Sequence, residues 1–330
     1  MRFLIIRFSS IGDIVLTTPV IRCIKLQIPK AEVHFLTKSS FKAVTVANPY
    51  IDHFHYLEND WDEMIQSLKA QEFDYIIDLH HNLRTAKIKR ALNVKAFAFN
   101  KLNIKKWLLT AFKVNRLPAI HIVDRCFDTV STFGVVNDGA GLDYFIPKEE
   151  EITLADLPYA HSFGYIGLVI GAAHATKKLP VHQLKKLCSE LHHPIILLGG
   201  PEDSAIGNEI ASVDEVKIYN ACGKFTLNES ADIIRHAKFI ITHDTGLMHI
   251  AAALKKPIIS IWGNTIPEFG MTPYYGNKAV QQKVFEVPHL SCRPCSKIGY
   301  NKCPKRHFKC MEQQDMVEVA ALSIQWALGN

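Results

Sequence analysis

The residues best suited to chemistry lie in the segment KFIITHDTGLMHIAAAL, residues 238–254. An apolar strand ends there in the polar turn Thr242–Gly246, which opens an apolar helix. The first N–H groups of a helix lack intrahelical partners and favour negative charge, so such a turn is suited to an anion. The candidate ligands are Asp244, Thr245, Gly246, Leu247 and His249. The pattern equally allows Asp244 to be an N-cap and His249 to be a core histidine.

A second turn of interest follows the first predicted strand, Phe3–Ile6, and reads RFSSIGD over residues 7–13. It precedes a helix predicted at Ile14–Leu26 and lacks the GxGxxG fingerprint of dinucleotide-binding domains. Ser10 and Asp13 have the spacing of a capping box. Asp13 is alternatively a carboxylate base that takes the proton of an attacking hydroxyl group. Spacing alone leaves both interpretations open.

Two loops in the second half of the chain offer groups for a nucleotide. In GAAHATKKLP, residues 171–180, Thr176 and Lys177 present a hydroxyl and an ammonium group to a diphosphate. In LGGPED, residues 198–203, a carboxylate at the end of a strand can hold ribose hydroxyls. The alternatives are a solvated basic loop for the first segment and helix capping by Glu202 or Asp203 for the second.

The elements that position these residues alternate between strands and amphipathic helices, which predicts α/β domains with parallel sheets covered on both faces. The predicted strands are Phe3–Ile6, Val33–Leu36, Tyr75–Leu79, Lys95–Phe99, Tyr165–Ile170, Ile195–Leu198, Val216–Tyr219, Phe239–Thr242 and Ile258–Trp262. The acidic stretch 146–161 breaks this rhythm and is predicted to be the interdomain linker. We expect domains at residues 1–157 and 158–311, and a final helix in 312–330 that packs back on the N-terminal domain.

Composition is that of a globular protein large enough for two domains, with 330 residues of which 48% are hydrophobic and 21% charged. The longest apolar runs are too short for a membrane span, and the N-terminus resembles a strand rather than a signal peptide. A cytoplasmic location is therefore expected.

The net charge is +6, but residues 84–116 hold ten Lys or Arg and no acidic residue. Such a local positive field predicts an anionic partner: nucleic acid, anionic lipid or a phosphorylated glycan.

The basic segment 84–116 has two interpretations. Within it, residues 101–116 place apolar side chains on one helical stripe among Lys and Arg, which is typical of a helix lying on anionic lipid. An ordinary surface helix with its apolar face on the core fits equally. His80, Arg84 and Lys87 follow the strand that ends at Leu79 and are candidates for gripping acceptor phosphates or carboxylates, or else form a solvated basic face.

Four cysteines cluster near the C-terminus: Cys292, Cys295, Cys303 and Cys310. Four thiols within 19 residues suggest a closed structural zinc site, and the first pair has CxxC spacing. Reduced packing cysteines or a disulfide are the alternatives. A formal DxD metal signature at residues 60–62 is predicted to cap a helix instead.

Taken in order, the motifs SSIGD, KKLP, GGPED, HDTGLMH and the dipeptide Trp262-Gly263 resemble glycosyltransferase family 9, which contains the ADP-heptose:lipopolysaccharide heptosyltransferases. The resemblance spans nearly the whole chain. It implies the GT-B fold, in which two Rossmann-like domains face an interdomain cleft. The N-terminal domain would hold the acceptor and the C-terminal domain the nucleotide sugar. It further implies inversion at the transferred sugar and no catalytic metal.

The resemblance also assigns roles to residues. Asp13 would be the general base, and Lys177 would stabilise the diphosphate leaving group. Glu202 would bind the ribose, while Thr176 and residues 244–249 would complete the donor site. Ser10 and Gly12 would join His80, Arg84 and Lys87 on the acceptor side.

The expected activity is therefore inverting transfer of a sugar, heptose from ADP-heptose, to a lipopolysaccharide core or related surface glycan. The acceptor would be an anionic glycolipid, reached from the inner face of the cytoplasmic membrane through segment 84–116. Catalysis would need no cofactor, zinc would be structural, and nucleic acid is not expected as a partner. The alternatives are a non-catalytic nucleotide-sugar-binding protein and a family 9 transferase with another donor sugar.

Overall fold

A computed structural model describes residues 1–57 and 60–329 and shows two parallel sheets, one in each half of the chain. The first sheet has the order β3-β2-β1-β4-β5 and the second β11-β10-β9-β6-β7-β8. The strands of the first sheet are β1 (Arg2–Ile6), β2 (Glu32–Lys38), β3 (His53–Leu57), β4 (Tyr75–Asp78) and β5 (Ala96–Ala98). Those of the second are β6 (Ile166–Val169), β7 (Ile195–Leu198), β8 (Ile218–Asn220), β9 (Ile240–His243), β10 (Ile258–Trp262) and β11 (Gln282–Glu286).

Helices connect the strands and cover both sheets. In the N-terminal half they are α1 (Ile11–Val15), α2 (Thr18–Gln27), α3 (Trp61–Lys69), α4 (Leu83–Leu92), α5 (Asn103–Phe112) and α6 (Ile122–Phe127). In the C-terminal half they are α7 (Val181–Glu190), α8 (Ser204–Ala211), α9 (Leu227–His236), α10 (Gly246–Ala253), α11 (Lys309–Glu312) and α12 (Met316–Ala327). No helix in the described part of the chain combines the length and apolar character needed to cross a bilayer.

The central strands confirm the predicted α/β class. Every strand pair is parallel, and strands such as β6 and β7 are buried along their whole length, as their continuous apolar sequences require. The sequence prediction missed β3 and β11, which are edge strands. Their sequences, HFHYL and QKVFE, mix polar and apolar residues because one side of an edge strand is open to solvent.

The helix predicted at Ile14–Leu26 is wrong in its bounds, because the structure contains two helices there. The first, α1, begins at Ile11, and the second, α2, begins at Thr18 with Pro19 in its first turn. Proline lacks an N–H group and is disfavoured inside a helix but favoured at its start. The turn between α1 and α2 therefore falls next to this proline. The shorter α1 contacts α10 in the other half of the protein.

The C-terminal helix corrects another prediction. We expected it to pack on the N-terminal domain, but α12 packs on α7 of the C-terminal half. Its buried face, which includes Met316 and Val319, belongs to the apolar cluster of the second sheet. Trp326 meets Phe239 edge to face, with ring centroids 5.7 Å apart. The helix therefore completes the core of the half in which it is encoded.

The predicted linker, residues 146–161, contains short 3₁₀ turns and no strand. It lies against α9: Glu150 accepts hydrogen bonds from Thr226 and Asn228, and Asp232 accepts one from the Ile152 amide. The boundary between residues 157 and 158 stays a prediction.

The two halves meet most closely where α1 approaches α10. A Cβ atom on Gly12 would lie 2.5 Å from the ring of His249, and one on Gly246 would lie 2.9 Å from Cβ of Ile11. Such distances are below ordinary van der Waals contact. Only glycine at both positions allows the first turns of the two helices to come this near. Buried apolar residues from both sheets form a single continuous cluster around this contact.

Gly246→Ala should lower the free energy of unfolding by about 1–3 kcal/mol, since the added methyl group has no space against Ile11. Thermal and urea unfolding of Gly246→Ala, Ile11→Ala and the double variant measure this. The two substitutions should be non-additive, because Ile11→Ala removes part of the obstructing side chain. Additive effects would contradict the proposed contact.

Candidate active site

A cleft of about 850 Å³ opens between the two sheets and is lined by residues from both halves. Its walls are the segments that follow the C-terminal ends of β1, β4, β6, β7 and β9. This is the edge at which open α/β sheets bind ligands. The motifs that the sequence singled out in separate places thus converge on one space.

Asp13 stands on the N-terminal wall of the cleft, in the first turn of α1. One carboxylate oxygen, Oδ2, accepts hydrogen bonds from the Ser10 hydroxyl at 2.8 Å and from the Ser10 amide at 3.2 Å. The other, Oδ1, lies 2.6 Å from a guanidinium nitrogen of Arg7. The capping box predicted from spacing is therefore present. It does not compete with a chemical role, because the carboxylate still lines the cleft.

The charge state of Asp13 follows from these contacts. Burial opposes ionisation of the carboxyl group, but Arg7, the hydrogen bonds from Ser10 and the nearby His249 together hold its pKa below the usual 3.8. Arg7 is itself buried and fixed, since it also donates hydrogen bonds to the backbone carbonyls of Ser9 and Leu79. Asp13 is consequently an ionised acceptor of fixed orientation at neutral pH.

On the opposite wall, Lys177 and Asp244 form a pair. The Lys177 ammonium group donates to Oδ2 of Asp244 at 2.6 Å, and the Thr265 hydroxyl donates to the same oxygen at 2.8 Å. The N-cap position of α10 belongs to Thr245, so the interpretation of Asp244 as an N-cap is wrong. Asp244 instead holds Lys177 against the start of α10.

Two groups at the start of α10 have unused hydrogen-bonding capacity. The Thr245 hydroxyl and Nδ1 of His249 are buried and have no hydrogen-bond partner among the described residues. Burial lowers the pKa of His249 to about 4, so its ring is neutral. Gly246 and Leu247 line the cleft beside them. This end of the cleft therefore combines a helix N-terminus, a lysine and a free hydroxyl donor, which suits an anionic group.

The two carboxylates of the GGPED turn have different roles. Asp203 is buried, accepts a hydrogen bond from the Gly200 amide and pairs with Lys178 at 2.6 Å. Glu202 is exposed to the cleft, with its carboxylate folded over Gly200. Capping of the turn is thus done by Asp203, which leaves Glu202 available to a ligand.

Thr176 is a predicted donor ligand that the structure places outside the cleft. It is buried, and its hydroxyl group donates to the carbonyl of Tyr300 at 3.1 Å and accepts from the Tyr300 amide at 2.8 Å. Its two bonds join the loop before α7 to the cysteine-containing segment. The prediction of a ligand role for Thr176 is corrected to a structural one.

The predicted acceptor residues divide in a similar way. Ser10, Gly12 and His80 line the cleft. Arg84 lies in a smaller adjoining pocket that also contains His80. Lys87, which is exposed one turn further along α4, contributes to neither of these two pockets. The basic face of α4 is therefore at most a rim of the site.

Three other lysines line the part of the cleft where the sequence predicted Arg84 and Lys87. Lys101, Lys106 and Lys297 line the cleft near Asp13, and no salt bridge involves them within residues 1–57 and 60–329. Burial and neighbouring cations, foremost Arg125, lower the pKa of Lys106 to about 8. Lys106 belongs to the basic segment 84–116, but nothing in the sequence indicated that it would line the cleft. Lys297 lies among the cysteines and was missed entirely.

The cysteine segment is a lobe at the rim of the cleft. Arg293 anchors it through hydrogen bonds to the carbonyls of Gly263, Thr265 and Val287 and a salt bridge to Glu286. Burial, and after it the neighbouring thiols, raise the pKa of Cys295 and Cys310. No three of their sulfur atoms lie within 4.8 Å of one another in the described chain.

The chain is similar in sequence to a known family and to several named proteins. Residues 61–303 match the family model described as "Glycosyltransferase family 9 (heptosyltransferase)". Lipooligosaccharide heptosyltransferase 2 of Haemophilus influenzae is 34% identical over 142 residues, which are 41% of this chain and 40% of that protein. Lipopolysaccharide heptosyltransferase 1 of Campylobacter coli is 25% identical over 305 residues, 84% of this chain and 86% of that protein.

A solved structure extends the comparison to the fold. The structure of E. coli heptosyltransferase WaaC with ADP aligns with a TM-score of 0.70 over 99% of this chain and 100% of that chain, at 20% sequence identity. The likeness confirms the GT-B arrangement of two parallel sheets that the motifs implied.

Proposed function

The chain belongs to glycosyltransferase family 9, and we propose that it transfers heptose from ADP-heptose to an anionic glycolipid of the lipopolysaccharide core, with inversion at the transferred carbon. The observation that carries the proposal is the position of Asp13 on one wall of a cleft whose other wall holds Lys177, Asp244 and Thr245. A base and an anion site on opposite walls suit in-line displacement. The names of the relatives support the heptose, and the ADP in the structure of WaaC supports the nucleotide.

Asp13 acts as the general base in this mechanism. An acceptor hydroxyl group attacks the anomeric carbon, its proton passes to the Asp13 carboxylate, and the bond from that carbon to the diphosphate breaks. Because its pKa lies below 3.8, Asp13 is ionised but only weakly basic before the reaction. Proton transfer then becomes favourable only as the attacking oxygen gains positive charge.

The leaving diphosphate gains negative charge as the bond breaks. Lys177, the free hydroxyl of Thr245 and the first N–H groups of α10 lie where they can stabilise that charge. Asp244 positions the lysine, and Glu202 holds the ribose hydroxyls. The Lys177 ammonium group is held in place by Asp244 before the substrate enters.

Asp13→Asn should reduce kcat by about 10²–10⁴-fold, because the amide cannot accept the proton, while ADP binding is retained. Asp62→Asn is the matched control, since Asp62 is an exposed carboxylate on α3 and does not line the cleft. Transfer assays with ADP-heptose and calorimetry with ADP measure the two effects. Asp13→Asn with substantial transfer would refute the role of Asp13. Preference of the wild-type protein for UDP- or GDP-sugars would refute the donor.

The cleft lysines that form no salt bridge among the described residues recognise the acceptor. Lys101 and Lys106 on the N-terminal wall and Lys297 on the rim surround the space beside Asp13. A core glycolipid carries phosphate or carboxylate groups, and each charge-assisted bond to such a group is stronger than a neutral one. These lysines thus place an acceptor hydroxyl at Asp13 by holding the anionic groups next to it.

Lys106→Ala should raise the KM for the acceptor about tenfold or more and leave the KM for the donor unchanged, because a charged hydrogen bond is lost. Lys69→Ala is the matched control: it removes the same charge from α3 at a position that is exposed and outside the cleft. Steady-state kinetics with both substrates varied measure the change. Equal effects of the two variants would contradict a specific acceptor contact.

We infer that α5 also rests on the membrane that carries the acceptor. Ile104, Trp107 and Phe112 are 75%, 56% and 61% exposed on this helix, and Lys105 lies among them. Exposed aromatic and aliphatic side chains beside cations suit the boundary of an anionic bilayer. The opposite face carries Lys106 into the cleft, so membrane contact brings the site to its glycolipid. The proposed location is the inner face of the cytoplasmic membrane.

The double variant Ile104→Ser/Trp107→Ser should bind vesicles containing anionic lipid several-fold more weakly, because about two large apolar side chains no longer enter the interface. The control is Val216→Ser, which removes a side chain that is 77% exposed in the other half. Co-sedimentation with phosphatidylglycerol-containing vesicles measures binding. If all three proteins sediment alike, α5 is not the membrane surface.

We further infer that the four clustered cysteines hold a structural zinc ion. The donor set is that of a closed Cys₄ site, and the lobe that contains it is already anchored by Arg293 and by Thr176. No three of their sulfur atoms lie within 4.8 Å of one another in the described chain, so zinc would have to draw the four thiols together. Zinc would fix the loop that presents Lys297 to the cleft.

Purified protein should contain one zinc per chain by elemental mass spectrometry, and Cys292→Ser/Cys303→Ser should lose it together with acceptor affinity. Cys23→Ser is the control, because Cys23 is buried in the N-terminal core far from the cluster in sequence. Metal content that is unchanged in the double variant, or absent from the wild-type protein, would contradict the site.

A further inference from the structure

A second group of potential metal ligands lies on the first sheet, away from the cleft. Glu32 and His34 are two residues apart on β2 and so lie on the same face. His53 on β3 is the register partner of His34. One ligand atom from each of these three residues lies within 4.8 Å of the other two. Parallel pairing therefore assembles the cluster from residues that are far apart in sequence.

The distances within the cluster match a coordination sphere. Oε1 of Glu32 lies 3.2 Å from Nε2 of His34 and 3.2 Å from Nε2 of His53. Charge-assisted hydrogen bonds between nitrogen and a carboxylate are shorter, at about 2.7–2.9 Å. In a tetrahedral zinc site with bonds of about 2.05 Å, ligand atoms are about 3.3 Å apart. The present spacing is at the long end of the hydrogen-bond range and also matches the spacing of ligand atoms around one shared cation.

The surroundings orient the three ligands. Arg2 binds the other carboxylate oxygen of Glu32, Oε2, at 3.0 Å, which leaves Oε1 directed at the two rings. His34 Nδ1 lies 2.9 Å from Nε2 of His55. When this Nδ1 carries the shared proton, Nε2 of His34 presents a lone pair toward Glu32. Metal-binding histidines commonly have their second nitrogen held in this way.

We propose that Glu32, His34 and His53 form a binding site for a divalent transition metal ion, with Zn²⁺ as the best fit to two imidazoles and one carboxylate. His34 is fully buried and His53 is exposed, so the fourth position is open to water. The site lies at the start of β2, six residues or about 20 Å from the strand end that faces the cleft. Its effect is structural: the ion joins the edge strand β3 to β2.

The test uses the full-length protein carrying Cys292→Ser and Cys303→Ser, so that the cysteine lobe does not compete for metal. Calorimetry with Zn²⁺ alone should show one site, and Glu32→Gln or His53→Ala should weaken it at least tenfold. His192→Ala, which removes an exposed histidine elsewhere, should leave it unchanged. His34 is avoided because its loss disturbs the core.

Two further measurements separate a metal site from a weak surface contact. Zn²⁺ should slow amide hydrogen exchange in β3 and raise Tm in the His192→Ala protein but not in the His53→Ala protein. Co²⁺ bound at the site should show ligand-field bands without a thiolate charge-transfer band. No saturable binding, or binding unaffected by both Glu32→Gln and His53→Ala, would overturn the proposal. These outcomes do not depend on glycosyl transfer.

Discussion

The close approach of α1 to α10 is the contact on which the site depends. Gly12 and Gly246 remove the side chains that would separate two helix N-termini belonging to different sheets. The first turn of α1 carries Asp13, and the first turn of α10 follows Asp244 and Thr245. Side chains at either glycine would widen the gap between Asp13 and the start of α10. The absence of a side chain at both positions thereby keeps the two walls of the cleft close together at this point.

Charge pairing prepares each wall of the cleft before any ligand binds. Arg7 keeps Asp13 ionised in a buried setting, and Asp244 keeps Lys177 in place at the start of α10. Each pair holds a charge where water is scarce, which would be unfavourable for either partner alone. Lys101 and Lys106 differ, because they face the cleft without a carboxylate partner in the described residues. The lysines without a carboxylate partner thus lie in the part of the cleft near Asp13.

Helix α5 presents different side chains to the cleft and to solvent. Lys106 faces the cleft, while Ile104 and Trp107 are exposed to solvent on the other side. The sequence allowed either a lipid-binding helix or an ordinary surface helix with its apolar face on the core. In the structure, part of the apolar face is exposed and part contacts the core. Leu109 alone among its residues is fully buried. A helix so lightly attached to the core has most of its surface free for lipid and ligand.

The sequence by itself determined the fold class, the central strands and most of the turns that line the cleft. Continuous apolar runs identify buried parallel strands, and the turns that follow them are local in the chain, so Asp13, Lys177 and residues 244–249 could be named in advance. The edge strands β3 and β11 were missed because half-exposed strands lack such runs.

Only the tertiary structure decided which groups of each turn are free. Thr176 has the right residue type but is engaged by Tyr300, and Asp203 is engaged by Lys178 while Glu202 is not. Lys106 and Lys297 reach the cleft, whereas Lys87 does not. The direction of a side chain and the partners it has already taken depend on residues far away in the chain. Local pattern therefore predicts where a ligand binds more readily than it predicts which side chains hold it.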